Sequence, residues 1–382
     1  MTLTEPSWDA AREAAYKLGT VGEIEKLPIS QIIDRYLAVD ALALVQLPTY
    51  ETSAMDGYVV SGTGPWKIIG EIKAGAPFKS SLNSGEALGI ATGAVIPAGA
   101  FGVIRWENAN VIGDLLNGET SERKDFRPAG EEAKLKEVLV RKGSKLTPAM
   151  VGLIAATGYD EIEVFKKPKV ALLLLGDEIQ LSGIPNDGLV RDSLGPQLPG
   201  WITKLGCEVA HIEYVPDDLD LTLKAINQAT KEFDFVITTG GTADGPRDFL
   251  KIAVDKLNGS LIVDKVACRP GHPQVLAEVN GKPLIALPGN PQSAVVALMT
   301  LGAPLIDSIF GKPLKKLREI STNDKFEAQP GFTRLILGTL NNGEFNIGQY
   351  LGSAMLRSLA HADGFAICTN PPTSLRWLGL PS

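Results

Sequence analysis

The chain has 382 residues, of which 44% are hydrophobic and 21% are charged, and its formal net charge is −7. This composition is that of a folded globular protein and excludes wholesale disorder, and the length suffices for two to four domains of roughly 100–200 residues each. Because proteins that bind nucleic acid or anionic membranes are usually basic, the acidic balance argues against both as partners.

Cysteine and histidine are too few and too scattered to predict a disulfide framework or a metal site of these residues. The sequence has three of each, at Cys207, Cys268, Cys368, His211, His272 and His361. We expect no apolar stretch long enough to span a bilayer, and the acidic, amphipathic N-terminus lacks the apolar core of a signal peptide. Together these features predict a cytoplasmic protein without a membrane partner.

The first part of the chain predicts helices on both sides of an inserted β unit. The pattern favours helices at about 8–18 and 29–41, and Thr147 and Pro148 are typical of the start of a third. From about 59 to 140, short alternating segments separated by Gly, Pro and Asn predict β structure. We therefore predict a helical domain of residues 1–48 and 141–166 that carries an inserted β domain of residues 49–140.

The loop TSAMDGYVV, residues 52–60, precedes the first strand of that β unit. Exposed loops with a specific pattern of small residues and one acid often carry function. Asp56 is therefore a candidate site residue, although it could instead be a turn residue that bonds its own backbone.

The second half of the chain alternates strands with helices, which is typical of a doubly wound, mainly parallel sheet. We predict such an α/β domain at residues 167–311. Short segments with turn residues between them then predict a small C-terminal β domain at residues 312–382. The predicted fold class is multi-domain α/β plus β.

The segment DFVITTGGTADGPRD, residues 234–248, contains a buried strand, a glycine-rich turn and the approach to a helix. In open α/β sheets such turns lie at the carboxyl ends of strands, where ligands bind, and Gly240 and Gly241 let a ligand approach the backbone. The spacing matches neither a dinucleotide fingerprint nor a P-loop. A tight turn without a ligand is the alternative.

Acidic residues recur where the predicted strands of the α/β domain end. They are Asp177, Glu178, Asp192, Asp217, Asp218 and Asp248. Neighbouring parallel strands end on one edge of a sheet, where several carboxylates repel each other unless a cation compensates. The set predicts a hard-cation site suited to Mg²⁺, although each acid alone could cap a helix. Arg269 and Asn290 could add a positive charge and an amide to the same edge.

These motifs resemble those of the MoeA-type molybdopterin molybdotransferases, which act last in molybdenum cofactor biosynthesis, and of the related E domains of gephyrin-like proteins. The resemblance follows the family order through almost the whole chain. The matching segments are SAMDGY at 53–58, TGAVIPAGA at 92–100, RPAGEE at 127–132, KLTPAMVGLIAATG at 145–158, LLGDE at 174–178, RDS at 191–193, VPDD at 215–218, TGG at 239–241, RPGHP at 269–273, LPGNPQSA at 287–294 and GSAMLRSLA at 352–360.

The resemblance implies an elongated homodimer in which a molybdopterin-binding α/β domain and a C-terminal β barrel follow the helical domain and its insertion. It implies that adenylylated molybdopterin and molybdate are the substrates. The adenylate bond is hydrolysed and molybdenum enters the dithiolene with release of AMP, assisted by Mg²⁺. The active site of the family lies between the α/β domain of one subunit and the inserted domain of the other.

The resemblance also implies roles for individual residues. The catalytic set would be Asp177, Glu178, Asp217, Asp248, Asp56, Thr92 and Glu132. The metal ligands among these would be Asp177, Asp217 and Asp248. The pterin phosphate and molybdate would be bound by Asp192, Ser193, Gly240, Gly241, Arg269, Pro288, Gly289, Asn290 and Ser293.

Several positions depart from the family pattern, and most of the departures remove a neutral polar group. Ala243 replaces a serine of the glycine turn, Leu194 replaces the asparagine of RDSN, and Leu174-Leu175 stand where Ser-Thr is usual. Phe101 stands where an acid is common. A paralogue of altered specificity, or a non-catalytic scaffold or cofactor-binding protein, is therefore an alternative. A protein that shares only the α/β domain, as CinA-like proteins do, is disfavoured by the SAMDGY loop and the C-terminal β segments.

Overall fold

The computed structural model describes residues 2–73, 75–122, 124–186, 188–242, 245, 248–369 and 374–381. The chain divides into two compact units. Unit 1 comprises Met1–Glu25, Asp34–Ala38 and Phe165–Ser382, and unit 2 comprises Lys26–Ile33 and Val39–Val164.

The described residues form α-helices in both units. They are α1 Trp8–Leu18, α2 Pro148–Ala156, α3 Leu194–Lys204, α4 Leu219–Glu232, α5 Leu250–Lys256, α6 Pro291–Ala297 and α7 Ala303–Ile309. A π-helical segment, Leu298–Gly302, joins α6 to α7, and short 3₁₀ helices lie at Ile29–Gln31, Trp106–Asn108 and Leu359–His361. The predicted helix at 8–18 is confirmed, and so is the helix that starts after Thr147, whose hydroxyl accepts from the Met150 N–H at 3.3 Å.

The strands of the first half of the chain are β1 Leu3–Thr4, β2 Ile24–Pro28, β3 Ala41–Leu42, β4 Thr52–Ser53, β5 Gly57–Val60, β6 Trp66–Ile72, β7 Glu86–Ile90, β8 Gly102–Arg105, β9 Asn110–Ile112, β10 Leu115–Asn117, β11 Phe126–Arg127, β12 Val138–Val140, β13 Glu161–Phe165 and β14 Lys169–Leu175. Those of the second half are β15 Ile179–Gln180, β16 Val190–Arg191, β17 Glu208–Val215, β18 Phe235–Thr239, β19 Ser260–Asp264, β20 Cys268–Arg269, β21 Val275–Val279, β22 Lys282–Leu287, β23 Arg318–Ile320, β24 Thr333–Asn341, β25 Glu344–Ile347, β26 Gly364–Cys368 and β27 Leu375–Gly379.

The main sheet of unit 1 has seven strands in the order β1-β19-β21-β22-β18-β14-β17. The neighbours β22, β18, β14 and β17 are parallel, as the sequence predicts. Along β14, Leu172 and Leu174 belong to one apolar core and Ala171 and Leu173 to another, because successive side chains point to opposite faces. Helices cover both cores, and this burial explains why the strand is apolar at every position after Lys169.

One strand of this sheet, β21, runs antiparallel to all the others and was not predicted. Strand β21 pairs antiparallel with β22 and with β19, while the N-terminal strand β1 pairs parallel with β19. The sheet is therefore mixed, with the predicted parallel part at its centre and at the β17 edge.

The continuous helical run Pro291–Ile309 packs inside unit 1. Trp8 on α1 is fully buried, and its indole N–H donates to the Thr300 hydroxyl at 2.8 Å. Within the described residues this 19-residue run is long and apolar enough to cross a membrane by length and composition alone, so the prediction that no stretch reaches that length was wrong. However, 83% of its apolar 18-residue window is buried, and core helices of soluble proteins pass the same test.

The predicted C-terminal β segments form a six-stranded sheet in the order β20-β24-β26-β27-β23, with β25 also paired to β24. Ile336, Phe345, Ala366 and Trp377 form its core. Its first strand, Cys268–Arg269, comes from the part of the chain that the sequence assigns to the α/β domain, and this pairing brings the RPGHP motif beside β24.

Unit 2 is built on a six-stranded sheet in the order β8-β5-β7-β6-β10-β9. This confirms the prediction of β structure for residues 59–140. Adjacent residues of β5 face different cores. Val59 packs with Leu88 and Val103, while Val60 packs with Ile104 and other buried side chains. Apolar side chains thus cover both faces of this sheet.

The predicted helix at 29–41 does not form. The chain makes only the short 3₁₀ turn Ile29–Gln31, Asp34 adopts a left-handed backbone with φ of 63°, and Ala41–Leu42 pairs with β12. A left-handed residue interrupts an α-helix, so the helix-like spacing of apolar residues here serves loop packing instead. The predicted helical domain is also divided, because α1 lies in unit 1 and α2 in unit 2. The remaining domain boundaries stay predictions.

Candidate functional site

Three parallel strands of unit 1 end level with one another. Strand register pairs Leu174 of β14 with Thr239 of β18, and Thr239 with Leu287 of β22. Backbone hydrogen bonds continue just past the strands, from Gly240 N–H to the Leu287 carbonyl at 2.9 Å and from Gly176 N–H to the Val215 carbonyl at 3.3 Å. The predicted site segments that follow these strands therefore start from one edge of the sheet, as the sequence analysis expects.

The glycine turn requires glycine at its first position. Gly240 and Gly241 have φ of 80° and 67°, and a Cβ on Gly240 would lie 2.9 Å from the Leu175 carbonyl oxygen. A side chain at residue 240 would thus be both conformationally strained and in contact with β14. Ala243, the departure noted in the sequence, lies outside the described residues.

We expect Gly240→Ala to lower the free energy of unfolding of unit 1 by ~1–3 kcal/mol, because a left-handed alanine in this crowded turn must displace the end of β14. Gly289→Ala is the matched control in the same cavity, since a Cβ there meets nothing within 4 Å and the residue has no left-handed φ. Urea unfolding measured for both variants tests this. Equal stability of the two variants would contradict the strain argument.

A cavity of about 600 Å³ opens at this edge of the sheet. It brings together nine of the predicted site residues, namely Glu178, Asp192, Ser193, Gly240, Gly241, Asp248, Pro288, Gly289 and Asn290. We call it the glycine-turn cavity. Leu175, Leu194 and Leu356 also line it, so a ligand here would meet apolar side chains as well as carboxylates.

Two of the acids at this edge act as helix caps. Asp192 accepts from the N–H groups of Leu194 and Gly195, both at 2.9 Å, and the Tyr214 hydroxyl donates to its other oxygen at 2.8 Å. Burial and the bond to Asp192 raise the pKa of Tyr214. Asp218 caps α4 by accepting from the Leu221 N–H at 2.9 Å. The capping alternative is therefore confirmed for these two residues.

The predicted three-carboxylate metal set is not assembled in the described part of the chain. No group of three or more His, Cys, Asp or Glu side chains there is placed to hold a metal ion. Asp248 lines the glycine-turn cavity, but Asp177 and Asp217 do not. Asp177 instead accepts from the Asp217 N–H at 3.1 Å and so links the ends of two strands.

Glu178 and Asp248 also line this cavity, and Asp248 accepts from the Gly245 N–H at 2.6 Å. Protein sites for Mg²⁺ commonly use one or two carboxylates together with substrate phosphate oxygens. The residues present therefore fit Mg²⁺ in that form.

A second cavity, of about 620 Å³, adjoins the first and shares Pro273, Pro288 and Asn290 with it. We call it the arginine cavity, because Arg269 and Arg334 both line it. The two arginines are partners in the register of β20 and β24. The Arg269 guanidinium lies 5.3 Å from the centre of the Phe332 ring, and Arg334 donates to the Glu327 carbonyl at 3.2 Å.

Four residues of the arginine cavity were predicted from the sequence, namely Arg269, Pro288, Asn290 and Ser293, whereas Arg334 and Ser353 were missed. Asn290 donates to the Ser353 hydroxyl at 3.3 Å, so the C-terminal segment closes against the LPGNP turn. Arg334 reaches the site by pairing of two strands that are far apart in sequence, and no local motif marks it. Ser353 lies within GSAMLRSLA, and that motif was the available signal.

In unit 2 the structure joins two of the three predicted site residues. Asp56 Oδ1 accepts from the Thr92 N–H at 2.7 Å, so Asp56 holds a neighbouring loop rather than its own turn. A Cβ on Gly57 would lie 2.1 Å from the Ile104 carbonyl, which explains the glycine of SAMDGY. Glu132 is exposed, and its backbone N–H donates to the Leu47 carbonyl at 2.8 Å.

An ion pair fixes the chain beside this loop. Arg105 donates from two nitrogens to both oxygens of Asp125, each at 2.9 Å, and Arg105 is the register partner of Gly57. The hydrogen bond from Arg105 holds the pKa of the Asp125 carboxyl below its usual value. Asp125 is 8% exposed.

Because the folded pKa of Asp125 is depressed, its contribution to stability is present above the unfolded pKa of about 3.9 and is lost as pH falls through the folded value. We expect Asp125→Asn to be less stable at pH 7 and to lose less further stability than the unmodified protein below about pH 4. Thermal unfolding of both proteins between pH 7 and pH 2 measures this. Parallel pH profiles would show that the pair has no linkage to folding.

Two stretches of the chain match known families. Residues 6–158 match the family described as MoeA N-terminal region (domain I and II), and residues 171–308 match the one described as probable molybdopterin binding domain. A molybdopterin molybdenumtransferase of Haemophilus influenzae is 32% identical over 299 residues, which are 76% of this chain and 74% of that protein. The chain belongs to the MoeA-type molybdopterin molybdenumtransferase family.

A further curated relative and a solved MoeA structure extend the likeness. The Bacillus subtilis enzyme is 29% identical over 372 residues, 91% of this chain and 86% of that protein. A crystal structure of the molybdopterin biosynthesis MoeA protein from Pyrococcus horikosii, 27% identical, matches with a TM-score of 0.78 over 98% of this chain and 97% of that chain. The likeness includes the C-terminal sheet, which excludes a relationship through the α/β domain alone.

Within this chain, the departures from the family pattern have defined places. Leu175 and Leu194 are 8% and 6% exposed and line the glycine-turn cavity, so apolar side chains stand there in place of polar ones. In unit 2, Phe101 is 49% exposed and the Lys124 ammonium lies 5.0 Å from the centre of its ring.

Proposed function

We propose that this protein inserts molybdenum from molybdate into adenylylated molybdopterin and releases AMP, in the last step of molybdenum cofactor biosynthesis. The observation that carries this proposal is the pair of adjoining cavities at the sheet edge. One is lined by carboxylates and a glycine turn and the other by two arginines. Family membership supports the same transferase activity.

The arginine cavity is suited to the molybdate oxyanion. Arg269 and Arg334 present guanidinium donors, and charge-assisted bonds from arginine to oxyanions are about twice as strong as neutral ones. Ser293, which lines the same cavity, is 4% exposed and adds a hydroxyl. Stacking on Phe332 restricts the Arg269 side chain, so less conformational entropy is lost when an oxyanion binds.

The glycine-turn cavity is suited to the phosphates of adenylylated molybdopterin. The turns at Gly240-Gly241 and Pro288–Asn290 leave room for close approach to the backbone, where N–H groups can bind phosphate oxygens. Water attacks the adenylate phosphorus, the P–O bond to the bridging oxygen breaks, and the molybdopterin phosphate is the leaving group. AMP is thereby formed with the oxygen of the water, whose proton passes to solvent. Glu178 and Asp248 would hold Mg²⁺, which when bound supplies positive charge to the phosphate oxygens. Asp177 and Asp217 would support that pair from the neighbouring strand ends.

We also propose that the protein is a homodimer, in which residues of unit 2 complete the active site of the partner subunit. Asp56, Thr92 and Glu132 would face the glycine-turn cavity of the partner subunit. The paired geometry of Asp56 and Thr92 supports a preformed surface there. We also propose that the protein is cytoplasmic, where adenylylated molybdopterin would reach it.

The test is AMP release from adenylylated molybdopterin by the purified protein with Mg²⁺, measured with and without molybdate. Release that depends on molybdate is the expected result. Release at equal rates without molybdate would contradict the insertase, because hydrolysis would then be uncoupled from metal insertion. Omitting Mg²⁺ should abolish release, and full release after treatment with a chelator would remove the cation from the proposal.

A second candidate function is a non-catalytic, cofactor-binding or scaffold protein. The apolar lining at Leu175 and Leu194 favours it, because a lost donor to a charged ligand typically costs about 1.5–3 kcal/mol. The same assay separates the two functions, since binding of adenylylated molybdopterin without any AMP release would identify the second.

A further inference from the structure

The C-terminal sheet holds a third cavity, of about 340 Å³, whose lining residues are separate from those of the two cavities described above. It is lined by Ile347, Tyr350, Arg357, Ser358 and His361, together with neighbouring backbone and amide groups. We call it the Tyr350–Arg357 cavity. It is large enough for a small ligand and lies at the lower end of the usual range of ligand pockets.

The side chains of this cavity favour an anion. Arg357 and His361 line it, and none of its described lining residues is an Asp or Glu. The Arg357 guanidinium lies 5.0 Å from the centre of the Tyr350 ring, and one of its nitrogens donates to the Tyr350 hydroxyl at 3.2 Å. That contact orients the guanidinium but uses only one of its five N–H donors.

The backbone beside Arg357 is strained. Tyr350 has φ of 55° although it is not glycine, and its side chain is 47% exposed. A left-handed backbone is uncommon at a tyrosine, and residues in such conformations cluster at sites of ligand binding and catalysis.

Residues 351–356, between Tyr350 and Arg357, reach the candidate active site. Leu351 and Ser353 line the arginine cavity, and Ala354 and Leu356 line the glycine-turn cavity. Tyr350 and Arg357 are the two ends of this loop, and their contact closes it. A ligand in the Tyr350–Arg357 cavity would therefore contact the two residues that flank loop 351–356. That loop contributes side chains to both substrate cavities.

We propose that the Tyr350–Arg357 cavity is an accessory binding site for a small ligand that bears a phosphate or a carboxylate. The oxyanion binds the free face of the Arg357 guanidinium, and the body of the ligand packs on Ile347 and the Tyr350 ring. Ligand binding restrains Tyr350 and Arg357, the residues that flank loop 351–356. This assignment is independent of the insertase reaction, because it depends on residues outside the two substrate cavities.

The experiment uses the full chain, with inorganic phosphate and benzoate as separate probes for the two oxyanions. Isothermal titration calorimetry measures affinity, and hydrogen–deuterium exchange locates the protected segment. We expect at least one probe to bind and to protect residues 346–362. Arg357→Gln should weaken that binding about tenfold or more, since a charge-assisted bond is lost, and Arg357→Lys should restore part of it.

Arg318→Gln is the matched control, because Arg318 is an exposed arginine of the same sheet outside the cavity. Arg269→Gln identifies any probe that binds in the arginine cavity instead. Circular dichroism confirms that each variant is folded. Binding of neither probe, protection confined to β20 and β24, or unchanged affinity in Arg357→Gln would each overturn the proposal. AMP release plays no part in this test, so a failed insertase proposal would leave its result readable.

Discussion

Replacing Asp248 by asparagine is expected to slow molybdate-dependent AMP release by about 100-fold or more, since a carboxylate at the reacting phosphate supplies several kcal/mol through the bound cation and about 1.4 kcal/mol is tenfold. The asparagine oxygen can still accept from the Gly245 N–H, which Asp248 does at 2.6 Å, so the turn should persist. The Mg²⁺ concentration for half-maximal rate should rise in the variant. Steady-state AMP release against Mg²⁺ concentration measures both effects.

Asp220→Asn is the control for this prediction, because Asp220 is an exposed acid in the first turn of α4 and does not line the glycine-turn cavity. It should keep the unmodified rate and Mg²⁺ dependence. Full activity of Asp248→Asn would refute the cation assignment, and an equal loss in both variants would point to net charge rather than to a specific ligand.

Replacing both Arg269 and Arg334 by glutamine is expected to weaken molybdate binding by about 100-fold or more, because each charge-assisted bond to the oxyanion contributes roughly 1.5–3 kcal/mol. Binding of adenylylated molybdopterin should change by less than about threefold, since its phosphates bind in the adjoining cavity. The single variants should fall between the two extremes. Calorimetric titration with molybdate and with adenylylated molybdopterin separates the two cavities.

Arg318→Gln again serves as the control for the loss of one positive charge from the C-terminal sheet. If the double variant bound molybdate with unchanged affinity, molybdate would have to bind outside the arginine cavity. A parallel loss of affinity for both substrates would show instead that the two cavities do not act separately.

The parallel core of the fold was predictable because local and global signals agree there. The runs ending at Leu175, Thr239 and Leu287 are apolar at nearly every position, which indicates strands covered on both faces. The helix after Thr147 was predictable from its cap and from Pro148. The region 29–41 was not, because its apolar spacing is that of a helix while a left-handed Asp34 breaks the chain. Periodicity alone does not reveal such a residue.

The candidate site was predictable where its residues follow strands and unpredictable where long-range pairing supplies them. Gly240 and Asn290 follow from the rule that ligands bind at strand ends. Arg334 arrives through the pairing of β24 with β20, whose register the sequence does not specify. The roles of the acids were not predictable either, since Asp192 lines the cavity and also accepts from the first N–H groups of α3, while Asp177, which also follows a strand, does not line the cavity.

The contact of Trp8 with Thr300 has a consequence for how the chain folds during synthesis. The two residues are separated by 292 positions, so the indole has no partner until the Pro291–Ile309 run leaves the ribosome. At about 5–20 residues per second the nascent chain waits roughly 15–60 s. Unit 2 holds its own cores and can fold during that interval, while the amphipathic α1 stays exposed. Until then, α1 lacks the Pro291–Ile309 run against which Trp8 is buried in the folded protein.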